Sequence, residues 1–272
     1  MQLKLAATGF AVYLALGLPA GQRPEPRTVF ADEFSGTTLD RSHWNVIVTG
    51  RTVNEELQAY VDSADVLRVR NGNLEIQPRY RSGFRTPEGR AFDFVSGRIE
   101  TRGKVAFQYG TAAARMKLVA GDGLWPAFWA LGDGRWPDTG EIDIMEHVGV
   151  PTWTSVALHG PGYFGDTPLV KRASVDVTAW HVYSVDWSAD SLIFKVDDAV
   201  VYRVTRAMVE QHGRWAFDNP KHLIVNLALG GNYPFGVNKV ATPYRGLAES
   251  TVRAIQEDKV TILVDWVRVT SN

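Results

Sequence analysis

Short runs in which apolar and polar residues alternate fill the chain from Thr28 onward, and turn residues separate these runs. Alternation with a period of two is typical of strands that bury one face. Residues 66–70 and 73–77 flank Asn71-Gly72, which is a strong signal for a tight hairpin turn. A second hairpin and further strands are predicted at residues 192–196 and 200–204, and at 97–101, 111–118, 155–159, 181–187, 223–229 and 260–269.

The many short strands at regular spacing predict an all-β fold, built as a sandwich of antiparallel sheets. The one helical turn that the pattern supports covers residues 206–211. Residues 28–270 contain no linker-like, repetitive or low-complexity segment. We therefore predict that they form a single domain.

The charge balance argues against nucleic acid as a partner. Lys and Arg total 29, Asp and Glu total 30, and no block of like charge occurs. A nucleic-acid-binding protein usually carries a basic excess that neutralises phosphates. The chain has no cysteine, so its stability depends on its core and not on disulfides. The many aromatic residues fit either a large sheet core or a surface that stacks on sugar rings.

The N-terminal segment predicts export. Lys4 gives a short basic start, and residues 5–18 are almost all apolar. This run is short for a membrane span but matches the hydrophobic region of a secretory signal. We predict a signal peptide at residues 1–20, a secreted or periplasmic protein, and no membrane span after signal removal. An uncleaved anchor is the alternative.

Three acidic residues lie close together in the segment from Gly140 to His147. On a strand, Glu141 and Asp143 share one face, while the isoleucines that follow them point into the core. Simple alternation would also place Glu146 in the core, where an unpaired carboxylate is costly. One extra residue, a β-bulge near Ile144-Met145, would return Glu146 to the face of the other two acids.

With this bulge, Glu141 and Glu146 lie about four strand steps apart, roughly 13 Å between Cα atoms. If the side chains lean toward each other, the carboxyl groups approach to about 5–6 Å, as in a retaining glycosidase. Glu141 would attack the anomeric carbon, and Glu146 would protonate the leaving oxygen. Asp143 could hydrogen-bond Glu141 and help to hold a proton. A solvated acidic edge or a set of calcium ligands is the alternative interpretation of the three acids.

The residues around these acids resemble the signature of glycoside hydrolase family 16, in its laminarinase-like branch. Residues 136–146 read Trp-Pro-Asp-Thr-Gly-Glu-Ile-Asp-Ile-Met-Glu, with Met145 as the extra residue of the bulged form. Further matching segments follow in order at residues 32–34, 54–58, 96–98, 123–129, 158–163 and 226–232. The resemblance implies a β-jelly-roll (concanavalin A-like) sandwich of two antiparallel sheets, with the substrate cleft across the concave sheet.

The resemblance also implies roles for individual residues. It implies Glu141 as the nucleophile, Asp143 as the assisting carboxylate and Glu146 as the acid/base. It implies substrate-binding positions at Trp136, Trp125, His159, Arg98 and Asn54. The alternatives are a core role for a Trp that adjoins Pro, and an ion pair with a structural carboxylate for Arg98.

Two positions depart from the family pattern. Ser155 stands where many laminarinases have a second His, and Tyr233 lies in a segment that often reads Asn-Trp-Pro-Gly. Both changes leave the subsite preference open.

The resemblance implies a structural calcium ion on the convex face. Its ligands would be Glu33, the carbonyl of Gly72, and Asp265, because carboxylate and backbone oxygens suit calcium. No cofactor is expected for catalysis.

The residues and the resemblance together predict a monomeric retaining endo-β-1,3-glucanase that hydrolyses β-glucan by double displacement. Mixed β-1,3/1,4-glucan is a further candidate substrate. The alternatives are a galactan hydrolase of the agarose or carrageenan type and a non-catalytic β-glucan-binding module. The three intact acids argue against the binding module, and the near-neutral charge does not suggest a sulfated substrate.

Overall fold

The computed structural model describes residues 27–271, most of which lie in or between β-strands. The predicted signal peptide, residues 1–20, lies outside the described residues. The strands are β1 (Arg27–Asp32), β2 (Asn45–Val46), β3 (Gln58–Tyr60), β4 (Leu67–Arg70), β5 (Asn73–Ile76), β6 (Arg79–Arg85), β7 (Ala91–Ser96), β8 (Arg98–Glu100), β9 (Gly110–Lys117), β10 (Leu124–Gly132), β11 (Glu141–Glu146), β12 (Trp153–His159), β13 (Val170–Ser174), β14 (Trp180–Trp187), β15 (Ser191–Val196), β16 (Ala199–Thr205), β17 (Lys221–Leu229) and β18 (Ile262–Ser271). The helices are α1 (Arg206–Glu210), α2 (Asn232–Asn238) and α3 (Glu249–Gln256).

Two antiparallel sheets form the sandwich that the sequence predicts. One has eight strands in the order β16-β15-β14-β9-β18-β5-β4, with β1 also paired to β18. The other has seven strands in the order β13-β12-β11-β10-β17-β8-β2. A third, three-stranded sheet, β3-β7-β6, was not expected, and its β3·β7 pair is parallel.

The main core lies between the two large sheets and arises from the period-two pattern. On β9, Ala112, Ala114 and Met116 are fully buried, and the residues between them are only partly buried. On β10 and β11, Phe128 and Ile142 supply the facing side chains from the other sheet. Each large apolar side chain buried in this way contributes about 1.5–3 kcal/mol. The opposite face of the seven-stranded sheet is therefore free to carry polar chemistry.

The two predicted hairpins are present. Asn71 and Gly72 both have positive φ, 54° and 73°, as the tight turn between β4 and β5 requires. Asp197, with φ 52°, lies in the turn between β15 and β16. The strands predicted from the sequence are all present, with bounds that differ by at most two residues.

The prediction of a single helical turn was incomplete. Helix α1 begins after Thr205, whose side chain accepts a hydrogen bond from the backbone N–H of Met208. Helices α2 and α3, between β17 and β18, were missed. Helix α2 contains Pro234 and Gly236, which argue against a helix in sequence, and α3 is a short amphipathic segment. Of the helices in residues 27–271, none has the length and apolar character to cross a membrane.

Candidate active site

Strand β11 contains the predicted bulge. On β10 the consecutive residues Phe128 and Trp129 pair with Met145 and Asp143, so Ile144 is left without a partner. Ile144 and Met145 are both fully buried in the core, although they are neighbours in sequence. Two adjacent residues that point the same way are the hallmark of a bulge.

The bulge brings the three acids to one face. Glu141, Asp143 and Glu146 line a single cavity of about 370 Å³ on the face of the seven-stranded sheet that points away from the core. Because Ile144 is accommodated by the bulge, Glu146 avoids the hydrophobic interior. The sequence analysis predicted this placement of Glu146 on the face of Glu141 and Asp143.

Glu141 accepts a hydrogen bond from Trp136, whose indole Nε1 lies 3.0 Å from Oε2. The imidazole Nε2 of His159 lies 3.9 Å from the other carboxylate oxygen, Oε1. Both contacts favour the ionised form of Glu141.

Close packing and a buried hydrogen bond fix the loop that leads into β11 and to Glu141. Gly140 has φ 72°, and a Cβ atom there would lie 2.4 Å from the carbonyl oxygen of Ala216. Only glycine tolerates both the backbone conformation and this close approach. The buried ammonium of Lys221 donates to the carbonyl of Thr139 at 2.7 Å and secures the same loop.

Glu146 accepts a hydrogen bond from Trp125, with 3.0 Å between Nε1 and Oε1. Trp125 is only 8% exposed, and the ring of Tyr233 packs against it edge-on with 5.4 Å between centroids. The donor to Glu146 is therefore fixed by packing as well as by the hydrogen bond.

Asp143 is buried between the two glutamates. Nε2 of His159 lies 3.2 Å from its Oδ2, but the geometry makes no hydrogen bond, and Oδ2 has no donor within residues 27–271. A buried carboxylate oxygen without a donor is costly when charged. Asp143 is therefore the acid best suited to keep its proton.

The pKa values of Glu141, Asp143 and Glu146 are each raised to about 8, chiefly by burial, and for the two glutamates the charge of Asp143 is the next contribution to this rise. Trp136, Trp125 and His159 oppose this rise for the glutamates, whereas nothing opposes it for Asp143. The site therefore holds fewer than three charges at neutral pH and titrates as a unit.

The predicted substrate-binding residues are mostly brought to the same cavity. Trp125, Trp136, Arg98 and Asn54 line it, and Trp136 is 45% exposed at its rim. His159 is the direct partner of Glu141 on the neighbouring strand β12, so it lies beside Glu141 and Asp143, but it is not among the residues that line the cavity.

Arg98 lines the cavity and also forms the ion pair that was the alternative interpretation. It forms an ion pair with Glu100, with 3.1 Å between Nη2 and Oε2, and its guanidinium lies 5.0 Å from the ring centroid of Trp129. Its buried Nε has no hydrogen-bond partner within the described part of the chain.

The sequence analysis did not predict a polar network that contributes Glu56, Tyr60 and Asn226 to the lining of the cavity. Gln58 donates to the buried carboxylate of Glu56 at 2.8 Å. Asn226 donates to the hydroxyl of Tyr60 at 3.0 Å and accepts from the indole of Trp129 at 2.8 Å. All of these residues except Tyr60 lie in segments that resemble the family, but no local pattern shows that they meet.

The three predicted calcium ligands lie near one another. Strand β18 pairs with β9 along one edge. Along its other edge, residues 262–264 of β18 pair with β5, and residues 267–271 pair with β1. Asp265 lies in the gap between β5 and β1. The end of β1 that leads to Glu33 is on one side of this gap, and the turn that contains Gly72, before β5, is on the other.

The two carboxylates of this set are ion-paired. Arg268 lies 2.7 Å from Glu33, and Arg115 lies 2.6 Å from Asp265. The oxygen donors suit calcium, and partly exposed ion pairs of this kind contribute little stability. Because arginines engage both carboxylates, calcium at this position stays a prediction.

Comparisons with known proteins agree with this geometry. The family model described as "Glycosyl hydrolases family 16" matches residues 54–245. A beta-glucanase of Rhodothermus marinus is 37% identical, over 76% of this chain and 77% of its own length. A glucan endo-1,3-beta-glucosidase A1 of Niallia circulans is 35% identical over 76% of this chain, which spans only 34% of that protein.

Solved structures give the same result. The endo-beta-1,3-glucanase of Pyrococcus furiosus superposes with a TM-score of 0.79 at 32% identity, over 90% of this chain and 94% of that one. This agreement covers the jelly-roll sandwich as well as the carboxylate strand. Because the family model matches more than half of this chain, the chain belongs to glycoside hydrolase family 16.

Proposed function

We propose that the protein is a retaining endo-β-1,3-glucanase of the laminarinase type, with mixed β-1,3/1,4-glucan as a further substrate. The observation that carries the proposal is the bulge in β11, which places Glu141 and Glu146 in one cavity, each with an indole N–H as donor. Two carboxylates on either side of a sugar are the machinery of double displacement.

In the first step, ionised Glu141 attacks the anomeric carbon, and the bond from that carbon to the glycosidic oxygen breaks. Glu146 gives its proton to the departing oxygen, which leaves as a hydroxyl group. In the second step, Glu146 takes a proton from water. The resulting hydroxide attacks the anomeric carbon, and Glu141 leaves as a carboxylate.

The resemblance to the family implies these roles, and the surroundings of the two glutamates support them. The N–H of Trp136 and the imidazole of His159 favour a charge on Glu141, as a nucleophile needs. Burial raises the pKa of Glu146 to about 8, as a general acid needs, and it raises that of Glu141 to the same value. Asp143, protonated between them, limits the negative charge that the site must hold.

A neutral glucan suits the cavity better than a sulfated galactan. The cavity is lined by aromatic side chains and by polar groups such as Tyr60 and Asn226. The whole chain carries a formal net charge of −1. The relatives described above are named as glucanases, which supports the same substrate class.

The test is product analysis on laminarin, lichenan and agarose side by side. The wild type should release reducing oligosaccharides from laminarin. Glu141→Gln should lose activity by on the order of 10⁴-fold or more, because the nucleophile is gone. Glu249→Gln, at an exposed position on α3, is the matched control and should behave as wild type. Undiminished hydrolysis by Glu141→Gln, or release from agarose alone, would overturn the proposal.

We infer further that residues 1–20 direct export and that the mature protein acts as a monomer. The apolar run at residues 5–18 supports export. The intact mass of the protein recovered from the medium or periplasm tests the first point, because the N-terminal segment should be missing. Light scattering tests the second.

A further inference from the structure

Lys221, the first residue of β17, lies inside the sandwich and not in the cleft. Alternation along β17 places its side chain on the face of Leu223 and Val225, which belong to the core, and Lys221 is only 1% exposed. A buried ammonium is costly unless its surroundings compensate the charge. The proposed mechanism does not use this group, so the reason for the charge must lie in its contacts.

Four oxygen atoms surround the ammonium. Its Nζ donates to the carbonyl of Thr139 at 2.7 Å and to Oδ1 of Asn219 at 2.8 Å. The carbonyl oxygens of Ala216 and Asn219 lie 3.2 and 3.4 Å away. The rings of Trp187 and Phe217 close this cage, with centroids 5.5 and 5.6 Å from Nζ. All four oxygens belong to neutral groups, so dipoles and ring faces hold the charge.

The cage keeps the lysine charged in the acidic and neutral range. Burial lowers the pKa of Lys221 to about 7, and the negative charge of Asp218 opposes this fall. Asp218 is itself paired with Arg206, with 2.7 Å between Oδ1 and Nη2. Below about pH 7 the ammonium form therefore predominates, and all of its donors are present.

The ammonium joins two segments that meet beside the nucleophile. Thr139 belongs to the turn that leads from Trp136 to Glu141, and the next residue, Gly140, packs closely against the carbonyl of Ala216. The ammonium contacts the carbonyls on both sides of this close approach. The indole of Trp136, at the start of the same turn, donates to Glu141. Movement of the turn would therefore displace both the donor and the start of β11.

We propose that Lys221 is a positioning residue for the nucleophile: its ammonium locks the turn of residues 136–140, so that the indole N–H of Trp136 stays on Glu141. This inference rests on the proposed function and extends it to a residue outside the cleft. Stabilisation of the fold alone does not need a charge here, since an apolar side chain of similar size would pack between the two rings. A cation with four acceptors fixes the turn in one position, which packing alone does less closely.

Lys221→Met keeps the length of the side chain and removes the charge. It should lower kcat/KM on an aryl β-laminaribioside about 10-fold, because a small displacement of a catalytic group is costly. It should also move the acidic limb of the pH profile to higher pH, since the donor that favours ionised Glu141 is no longer held. In the Trp136→Phe background the same substitution should shift this limb no further, because its effect passes through that indole. An additive shift would mean a direct effect of the charge and would overturn the proposal.

Lys104→Met is the matched control. Lys104, on the loop between β8 and β9, also donates to a backbone carbonyl, that of Trp44, at 2.9 Å. Its replacement should lower Tm and leave the acidic limb in place. The same pattern from Lys221→Met would overturn the proposal, because the ammonium would then stabilise the fold and nothing more.

Chemical rescue tests the charge directly. The chain contains no cysteine, so Lys221→Cys supplies a single thiol. Alkylation in urea with bromoethylamine, followed by refolding, restores an ammonium at nearly the native length, whereas propyl bromide gives an apolar side chain of the same length. The ammonium adduct should recover the wild-type acidic limb, and the propyl adduct should behave as Lys221→Met. Equal behaviour of the two adducts would overturn the proposal, even if Lys221→Met itself failed to fold.

A measurement without turnover separates this proposal from that of hydrolysis. The indole N–H signal of Trp136 is identified by its absence from the NMR spectrum of Trp136→Phe. At pH 6 its exchange with solvent should be about 10-fold faster in Lys221→Met and in the propyl adduct than in the wild type, since the turn opens more often. Unchanged exchange would overturn the positioning role. A wild type that cleaves no glucan would refute the proposed hydrolysis, and the exchange rates would still decide whether Lys221 holds the turn.

Discussion

Trp125 donates its indole N–H to Oε1 of Glu146 across 3.0 Å, from a side chain that is only 8% exposed. Trp136 makes the same contact with Glu141, also at 3.0 Å, but is 45% exposed at the cleft rim. A hydrogen bond to a carboxylate favours its charged form and so opposes the effect of burial. The two donors thus lower the pKa of the two acids to which the proposed mechanism gives the roles of nucleophile and acid/base.

Removing each donor should move a different limb of the pH profile. Trp136→Phe should raise the pKa of Glu141, which must be ionised, so the acidic limb of kcat/KM moves to higher pH. Trp125→Phe should raise the pKa of Glu146, which must be protonated, so the basic limb moves to higher pH. A shift of about one pH unit is expected, since hydrogen bonds to charged groups contribute about 1.5–3 kcal/mol.

The measurement is kcat/KM against pH on an aryl β-laminaribioside, with each variant serving as the control for the other. The limb that a variant does not address should stay near its wild-type position. If each variant moved the limb expected of the other, the roles of Glu141 and Glu146 would be reversed, and if both moved the same limb, the assignment would be wrong.

Asp143→Asn should stabilise the folded protein at high pH more than at low pH. Burial raises the pKa of Asp143 from 3.8 to about 8. Below about pH 4, both folded and unfolded states keep the proton, and the stabilising contribution is fully present. As pH rises toward 8 the unfolded carboxyl ionises first, so this contribution is lost. Asparagine cannot ionise, so the Asp143→Asn variant does not lose stability by this route as the pH rises.

Thermal melts at pH 4, 6 and 8 check this sign. The Tm of Asp143→Asn relative to wild type should rise by several degrees from pH 4 to pH 8, since about 1 kcal/mol shifts Tm by roughly 2–4 °C at this size. Asp198→Asn, in an exposed turn, should show no such trend. A constant difference across the range would mean that Asp143 is ionised in the folded state.

The strand pattern and the carboxylate bulge could be predicted from the sequence because both depend on neighbouring residues. Alternation reports the buried face of a strand directly, and a carboxylate in the wrong register requires an extra residue. Asn71 and Gly72 likewise determine their turn locally. The jelly-roll arrangement itself came from the family resemblance.

The rest depends on contacts that sequence does not display. Asn226 meets Tyr60 across 166 positions, and Gln58 accepts from the backbone N–H of Leu229 across 171 positions. Helix α2 contains Pro and Gly, so its local preference opposes the structure that tertiary packing imposes. The contact between Ser155 and Tyr233 is of the same long-range kind.

Calcium should stabilise the protein if Glu33, Gly72 and Asp265 bind it. Adding millimolar calcium should raise Tm, and chelation should lower it, because a ligand that binds only the folded state shifts unfolding. Asp265→Asn should abolish the calcium dependence, whereas Asp198→Asn should retain it. Identical melts with calcium and with chelator would exclude a structural ion at this position.

Gly140→Ala should cost both stability and turnover, because Gly140 sets the path of the chain into Glu141. Its φ of 72° is unfavourable for alanine, and the added Cβ would lie 2.4 Å from the carbonyl oxygen of Ala216. Gly103→Ala is the matched control, since Gly103 has φ 71° and open space around it. Gly103→Ala should lose about 1 kcal/mol in denaturant unfolding at unchanged kcat. Gly140→Ala should lose more stability and reduce kcat at least about 10-fold, because a displaced backbone misplaces the nucleophile. Equal effects of the two substitutions would mean that the close approach to Ala216 does not position Glu141.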